Sequence, residues 1–167
     1  LGHKQAADKS WADVEGAYQR RNDLIGNLVN TVKGAAEFEK STLEAVVNAR
    51  AKATAVNIDP TNITPEQLEQ FQQAQSGVSS ALSRLLVSVE KYPDLKANQN
   101  FLKLQDELAS TENQILTSRT RYNEKVELYN NYVLKMPAKF FLSGYNERAF
   151  FKADAGAEKA PEVKFEF

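Results

Sequence analysis

Apolar residues that recur at alternating spacings of three and four constrain the fold of this chain most strongly. Three such series cover residues 11–53, 68–92 and 101–136. This spacing places the apolar side chains of each series on one face of a helix. Residues 35–59 and 94–136 also contain neither Gly nor Pro, and they are rich in good helix formers. The pattern predicts an all-α chain.

The first series predicts one continuous helix, because its phase is kept across Gly16, Gly26 and Gly34. Each glycine weakens a helix by up to about 1 kcal/mol relative to alanine, which we expect the amphipathic face to outweigh. Ser10 and Asp13 have the spacing of a capping box, so the helix is expected to begin there. A helix of about 45 residues would be about 70 Å long and would extend past its shorter neighbour.

The ends of the other two helices are marked by proline and capping residues. Thr64 can cap the second helix, with Pro65 at the first helical position and Gln67 three residues after the cap. Pro93 ends that helix, because a proline disfavours helical backbone at the residue before it. Pro137 follows the third series in the same way.

Short connections between these helices predict an antiparallel, up-and-down four-helix bundle. Three helices would be long, and a short fourth helix would lie within residues 138–152. Residues 1–9 are expected to be a linker, residues 10–152 the bundle domain, and residues 153–167 an extended tail with apolar residues at every second position from Val163.

The composition gives little sign of catalysis. His3 is the single histidine, cysteine is absent, and the formal net charge is −1. The chain has no glycine-rich phosphate loop and no H-E-x-x-H zinc motif, and His3 alone cannot supply the two Glu-x-x-His pairs of a di-iron bundle. We therefore predict no enzyme activity, no catalytic or metal-binding residues, no cofactor and no nucleic-acid partner.

Polar side chains within and beside the series form a candidate site. With the first and third helices parallel and Trp11 level with Phe101, Arg21 would lie near Glu112. We predict a polar network between these helices, in which Arg20 or Arg21 pairs with Glu112 and Arg119 pairs with a group such as Asn22. The network could fix the register of the helices, or it could line a groove for a ligand or partner. Its candidate members are Arg20, Arg21, Asn22, Glu112, Arg119 and Asn123.

The C-terminal region is rich in aromatic residues, and six of the nine phenylalanines follow residue 139. These side chains could close the end of the bundle, or they could form an exposed patch for a partner or a membrane surface. The candidate partner surface consists of Phe140, Phe141, Tyr145, Phe150 and Phe151.

Four stretches of the chain carry a recognisable pattern. They are WADVEGAYQRRNDLIGNLVNTVKG, EKYPDLKANQNFLKLQDELASTENQI, SRTRYNEKVELYNNYV and, near the C-terminus, FFKADAGAEKAPEVKF. Together they resemble the LemA family of bacterial membrane-anchored proteins. The resemblance covers about residues 10–165. It implies a four-helix bundle that follows a single N-terminal transmembrane helix in the bacterial membrane, with the side of the membrane left open. It also implies no established enzymatic activity.

The sequence departs from the family pattern at two positions. Gly26 stands where the family usually has proline, which should relax a kink in the first helix. Phe38 stands where the family often has histidine, which makes metal binding less favoured.

The function predicted from these observations is that of an interaction or scaffold module of the bacterial envelope. Its expected partner is an unidentified protein, and self-association is open. The alternative is a ligand-binding or sensing module that uses the polar groove, which requires Arg21, Glu112 and Arg119 to reach solvent.

Overall fold

The computed structural model of the protein describes residues 2–35, 37–135 and 147–151, and these residues form five helices and no strand. The all-α prediction is confirmed. Residues 147–151 are not helical, and the rest of the predicted fourth helix and the tail lie outside the described residues. The helices are α1 (Gly2–Lys33), α2 (Lys40–Ala55), α3 (Pro65–Val89), α4 (Pro93–Lys96) and α5 (Gln99–Leu134).

The predicted continuous first helix is wrong, because the chain leaves the helix after Lys33 and resumes it at Lys40. At the break, the amides of Gly34 and Ala35 donate to the carbonyls three residues back, at 3.3 and 2.9 Å. Such tightened bonds satisfy carbonyl groups at the end of a helix. Phe38 then packs against Tyr92, with 4.8 Å between the ring centres. The second half of the first series therefore folds back as α2 and does not project.

The start of α1 also differs from the prediction. Residues 2–9 are helical, and Ala7 is fully buried, so they are part of the bundle and not a linker. Ser10 does not cap a helix, since its hydroxyl donates to the carbonyl oxygen of Ala7 at 2.8 Å.

The predicted capping box of the next long helix is confirmed. The Gln67 amide donates to Thr64 Oγ1 at 3.2 Å, and the Thr64 amide donates to Gln67 Oε1 at 3.4 Å. Pro65 is the first residue of α3. At the start of α5, Asn98 accepts from the Phe101 amide at 3.0 Å, so a side chain caps each of these two helices.

The four long helices alternate in direction. Trp11 contacts Tyr122 near one end of the bundle, and Thr31 accepts a hydrogen bond from Asn100 at the other, so α1 and α5 are antiparallel. The expectation that these two helices run parallel is wrong, because the break after Lys33 adds a reversal of the chain. The antiparallel bundle is thus built by α1, α2, α3 and α5, with α4 as a single turn between the last two.

The core has two hydrophobic clusters separated by a polar layer. One cluster includes Ile25, Leu28 and Leu82 and lies towards the turn after α1. The other includes Trp11 and Phe71 and lies where α1 begins. Between the clusters, α1, α3 and α5 each contribute buried polar side chains, which are the first part of the candidate site.

Candidate functional site

Arg21 is the centre of the polar layer, and it is 2% exposed. Its Nη1 lies 3.1 Å from Glu112 Oε1 of α5 and donates to Ser79 Oγ of α3 at 2.9 Å. Its Nη2 donates to the carbonyl oxygen and to Oε1 of Gln75, at 3.0 and 2.8 Å. The guanidinium also lies 5.1 Å from the ring centre of Tyr18. One arginine therefore joins three helices at a fixed register.

The other predicted members of this network are placed differently. Arg20 is exposed and donates to Thr111 Oγ1 at 3.3 Å, so Arg21 and not Arg20 pairs with Glu112. Asn22 is not the partner of Arg119, because Asn22 Oδ1 is buried and accepts no hydrogen bond from the described part of the chain. Arg119 does pair with a polar group of α1, since its side chain hydrogen-bonds with Tyr18. Its guanidinium also lies 4.7 Å from the ring centre of Phe151.

A second polar group, which we call the C-terminal clasp, holds residues 147–151 against α5. Asn130 accepts from the amide of Arg148 at 2.6 Å and donates to its carbonyl oxygen at 2.9 Å. Asn123 does the same for Phe151, at 2.8 and 3.1 Å. Asn123 and Asn130 are seven residues apart, a rise of about 10.5 Å along a helix. Arg148 and Phe151 are three residues apart, which is about 10 Å in an extended chain, so the two spacings match. The segment therefore binds α5 through its backbone.

Arg148 anchors the clasp to the rest of the bundle, and it is 8% exposed. Its Nη1 pairs with the carboxylate of Asp8 on α1. Its Nη2 donates to the carbonyl oxygen of Pro60 at 2.7 Å, and its Nε donates to the hydroxyl of Tyr122 at 3.1 Å. This side chain joins the start of α1, the connection after α2 and the clasped segment.

Phe151 lies inside the core and not on an exposed patch. It is 5% exposed and packs on Trp11, Tyr122 and Phe71, with ring centres 5.9, 5.6 and 6.4 Å away. Among the proposed partner residues, Phe151 therefore closes the end of the bundle, whereas Phe150 is 44% exposed. Phe140, Phe141 and Tyr145 lie outside the described residues.

Ionisable groups in these networks are held in place by their neighbours. Burial raises the pKa of Tyr18, which the charges of Arg119 and Arg21 oppose. Burial also raises the pKa of Tyr122, against the charge of Arg148. For Arg148 itself burial favours the neutral form, but the hydrogen bonds that its guanidinium donates to Asp8 and Tyr122 outweigh this effect and raise its pKa. Both phenols are neutral and the guanidinium is charged near neutral pH, which suits a structural role.

The described helices hold no group of three or more His, Asp or Glu side chains placed to bind a metal ion. Nor is any described helix long and apolar enough to cross a bilayer.

Sequence reasoning missed Arg148 and its partner Asp8. The two residues are 140 positions apart, and Arg148 lies in a segment without helical periodicity. Asn130 lies seven residues after Asn123 on the same helix, and that spacing was the available signal.

A family model described as the LemA family matches residues 10–165 of the chain. Magnetosome proteins MamQ 1 and MamQ 2 of Paramagnetospirillum magneticum are each 26% identical to it over 160 residues, which is 84% of this chain and 59% of theirs. Protein LemA of Metamycoplasma hominis is 26% identical over 118 residues, which is 71% of this chain and 50% of that protein. The chain thus spans only half to three fifths of the length of these curated relatives.

Proposed function

Because this chain belongs to the LemA family, we propose that it is the helical bundle of a non-enzymatic, membrane-tethered interaction module of the bacterial envelope. The tether is a membrane helix that lies N-terminal to α1 in the full-length protein. In this arrangement the start of α1 is the end of the bundle nearest the bilayer, and the turn after Lys33 lies about 48 Å away along the 32-residue helix.

The distribution of exposed apolar side chains is the observation that carries this proposal. Leu128, Tyr132 and Leu134 lie in the last turns of α5 and are 49, 43 and 61% exposed, and Phe150 of the clasp is 44% exposed. Since α1 and α5 are antiparallel, this end of α5 lies beside the start of α1, where the rings of His3 and Tyr132 are 5.5 Å apart. Exposed apolar residues that collect in one region are typical of binding surfaces.

The polar layer does not favour the alternative of a ligand-binding groove. That alternative needs Arg21 and Glu112 to reach solvent, and both are buried and paired with each other. The ordered partners of Arg21 instead fit a device that fixes the register of the helices.

Site-specific photo-crosslinking in cells tests the proposed surface. The full-length protein should carry the photo-reactive residue at Tyr132 or Phe150 in two separate strains. The matched controls carry it at Leu102, near the opposite end of α5, and at Val87 of α3, which are 43 and 59% exposed. We expect a discrete protein adduct from the first pair of positions and not from the second. No protein adduct at Tyr132 and Phe150, or the same adducts at all four positions, would overturn the assignment.

A further inference from the structure

The cleft between α1 and α2 is a loosely packed boundary within the described bundle. α1 packs mainly on α5, and α2 packs mainly on α3. A cavity of about 500 Å³ lies in this cleft and opens to solvent. Neither of the polar networks described above reaches it.

Arg50 of α2 lines this cavity, and its guanidinium makes no hydrogen bond or ion pair with another described residue. It is half-buried, and its Nε is fully buried with no hydrogen-bond acceptor. No carboxylate of a described residue lies within ion-pair distance of its guanidinium. A guanidinium carries five donors and a fixed charge, and burying such a group without partners costs free energy. An anion in this cavity would accept hydrogen bonds from the guanidinium of Arg50 and balance its charge.

Gly26 of α1 provides the space that Arg50 occupies. A Cβ atom at this position would lie 3.1 Å from Nη2 and 3.2 Å from Cζ of Arg50. Glycine inside a helix costs about 1 kcal/mol relative to alanine, yet α1 continues through this position. The missing side chain at position 26 lets the guanidinium rest against the backbone of α1 and face the cavity.

The other lining groups suit an oxyanion that carries a small apolar group. Lys33 adds a second positive charge, and Asn27 and Asn30 add amide donors. Val47, which is 48% exposed, contributes an apolar wall together with Val29. Asp23 also lines the cavity, and it accepts a hydrogen bond from Gln19 at 3.1 Å. The donors and positive charges outnumber this one lining carboxylate.

We propose that the α1–α2 cleft is a binding site for a small organic oxyanion, a carboxylate or a phosphate, held by the forked guanidinium of Arg50. A guanidinium can bind two oxygens of either group at once, whereas an ammonium binds as a point charge. Lys33 closes the site from the solvent side, and the hydrocarbon part of the ligand lies on the two valines.

An NMR titration of the Arg50 Nε–Hε resonance tests this site. The probes are inorganic phosphate and butyrate, each against sodium chloride at equal ionic strength. We expect a saturable shift with one or both probes and not with chloride. A larger response to phosphate assigns the site to phosphorylated ligands, and a larger response to butyrate assigns it to carboxylates. A shift that rises linearly with every salt would overturn the proposal.

Variants separate binding from folding. Arg50→Gln should weaken binding at least about tenfold, as measured from the shifts of the backbone amide resonances of Asn27 and Lys33. Its thermal midpoint should stay the same or rise, because an unpaired charge is removed. Arg50→Lys keeps the charge without the fork and should also bind more weakly. Arg84→Gln on the exposed face of α3 is the matched control and should leave binding unchanged. Retained binding in Arg50→Gln, or equal loss in Arg84→Gln, would refute the site.

Discussion

Removing the carboxylate of Glu112 should destabilise this protein far more than removing a surface charge. Arg21 is 2% exposed, and the side chain of Glu112 is 7% exposed. In Glu112→Ala, Arg21 would keep the hydrogen bonds to Gln75 and Ser79. Those acceptors are neutral, however, so the charge of the guanidinium would be left uncompensated in the core.

The expected loss follows from this burial. Breaking a buried ion pair by removing one partner costs about 3–5 kcal/mol. In a chain of this size about 1 kcal/mol shifts the thermal midpoint by about 2–4 °C, so the midpoint should fall by about 6–20 °C. Glu112→Gln keeps an acceptor for Arg21 without the charge, and it should fall between Glu112→Ala and the unchanged protein.

Urea unfolding followed by circular dichroism at 222 nm measures this loss. Glu127→Ala is the control, because Glu127 is exposed on the same helix and should change the unfolding free energy by less than about 0.5 kcal/mol. A loss in Glu112→Ala as small as the loss in the control would refute the reasoning. It would mean that the neutral partners of Arg21 are sufficient.

Three further variants test the clasp, the buried phenol and the cap. Asn130→Ala should speed amide hydrogen exchange at Arg148 by about 10- to 30-fold, because two hydrogen bonds of about 1 kcal/mol each are lost. Burial raises the pKa of Tyr18 above its ordinary value of 10. Above pH 10 the unfolded state therefore loses the phenol proton before the folded state does, and the unfolding free energy falls as pH rises. Tyr18→Phe should make this fall less steep. Thr64→Ala should cost about 1 kcal/mol in urea unfolding, because the amide of Gln67 loses its acceptor.

Each of these variants has a matched control. Asn113→Ala is exposed on the same helix as Asn130 and should leave exchange at Arg148 unchanged. Tyr132→Phe, which removes the hydroxyl of an exposed phenol, is the control for Tyr18→Phe. Thr61→Ala lies three residues before the cap and should cost less than Thr64→Ala. If a control matched its variant, the contact assigned to that variant would not be the cause of the effect.

The helical faces could be predicted from the sequence, but the reversal after Lys33 could not. The apolar series keeps its phase from Trp11 to Ala53, and two antiparallel helices satisfy that phase as well as one long helix does. Gly34 was the local signal. Whether the helix ends at Gly34 depends also on the contact of Phe38 with Tyr92, and these residues are 54 positions apart in the sequence.

The pairing of Arg21 with Glu112 shows how a correct contact can follow from a wrong direction. With α1 and α5 parallel and Trp11 level with Phe101, Arg21 falls beside residue 111. With the helices antiparallel and Trp11 beside Tyr122, Arg21 falls beside Glu112. The parallel and antiparallel arrangements place Arg21 at nearly the same height on α5. The periodicity of the sequence could therefore predict the pair although it did not determine the relative direction of the two helices.

The clasp could not be predicted, because only one of its two sides has a periodic sequence pattern. Asn123 and Asn130 lie on a periodic helix, whereas residues 147–151 bind in an extended form through backbone groups that every sequence carries. The side chains of Arg148 and Phe151 make the segment specific, and their partners come from α1, α3, α5 and the connection after α2.

The pairing of α1 with α5 sets the order in which the parts of a newly made chain can find each other. About 100 residues separate the end of α1 from the end of α5, and a ribosome adds roughly 5–20 residues per second, so α1 waits roughly 5–20 s for its main partner. The hairpin of α2 and α3 is complete within that interval. During synthesis the face of α1 that carries Trp11, Val14 and Ile25 is therefore the longest-exposed apolar surface of the bundle, and a chain truncated before α5 would keep it exposed as a target for chaperones and proteases.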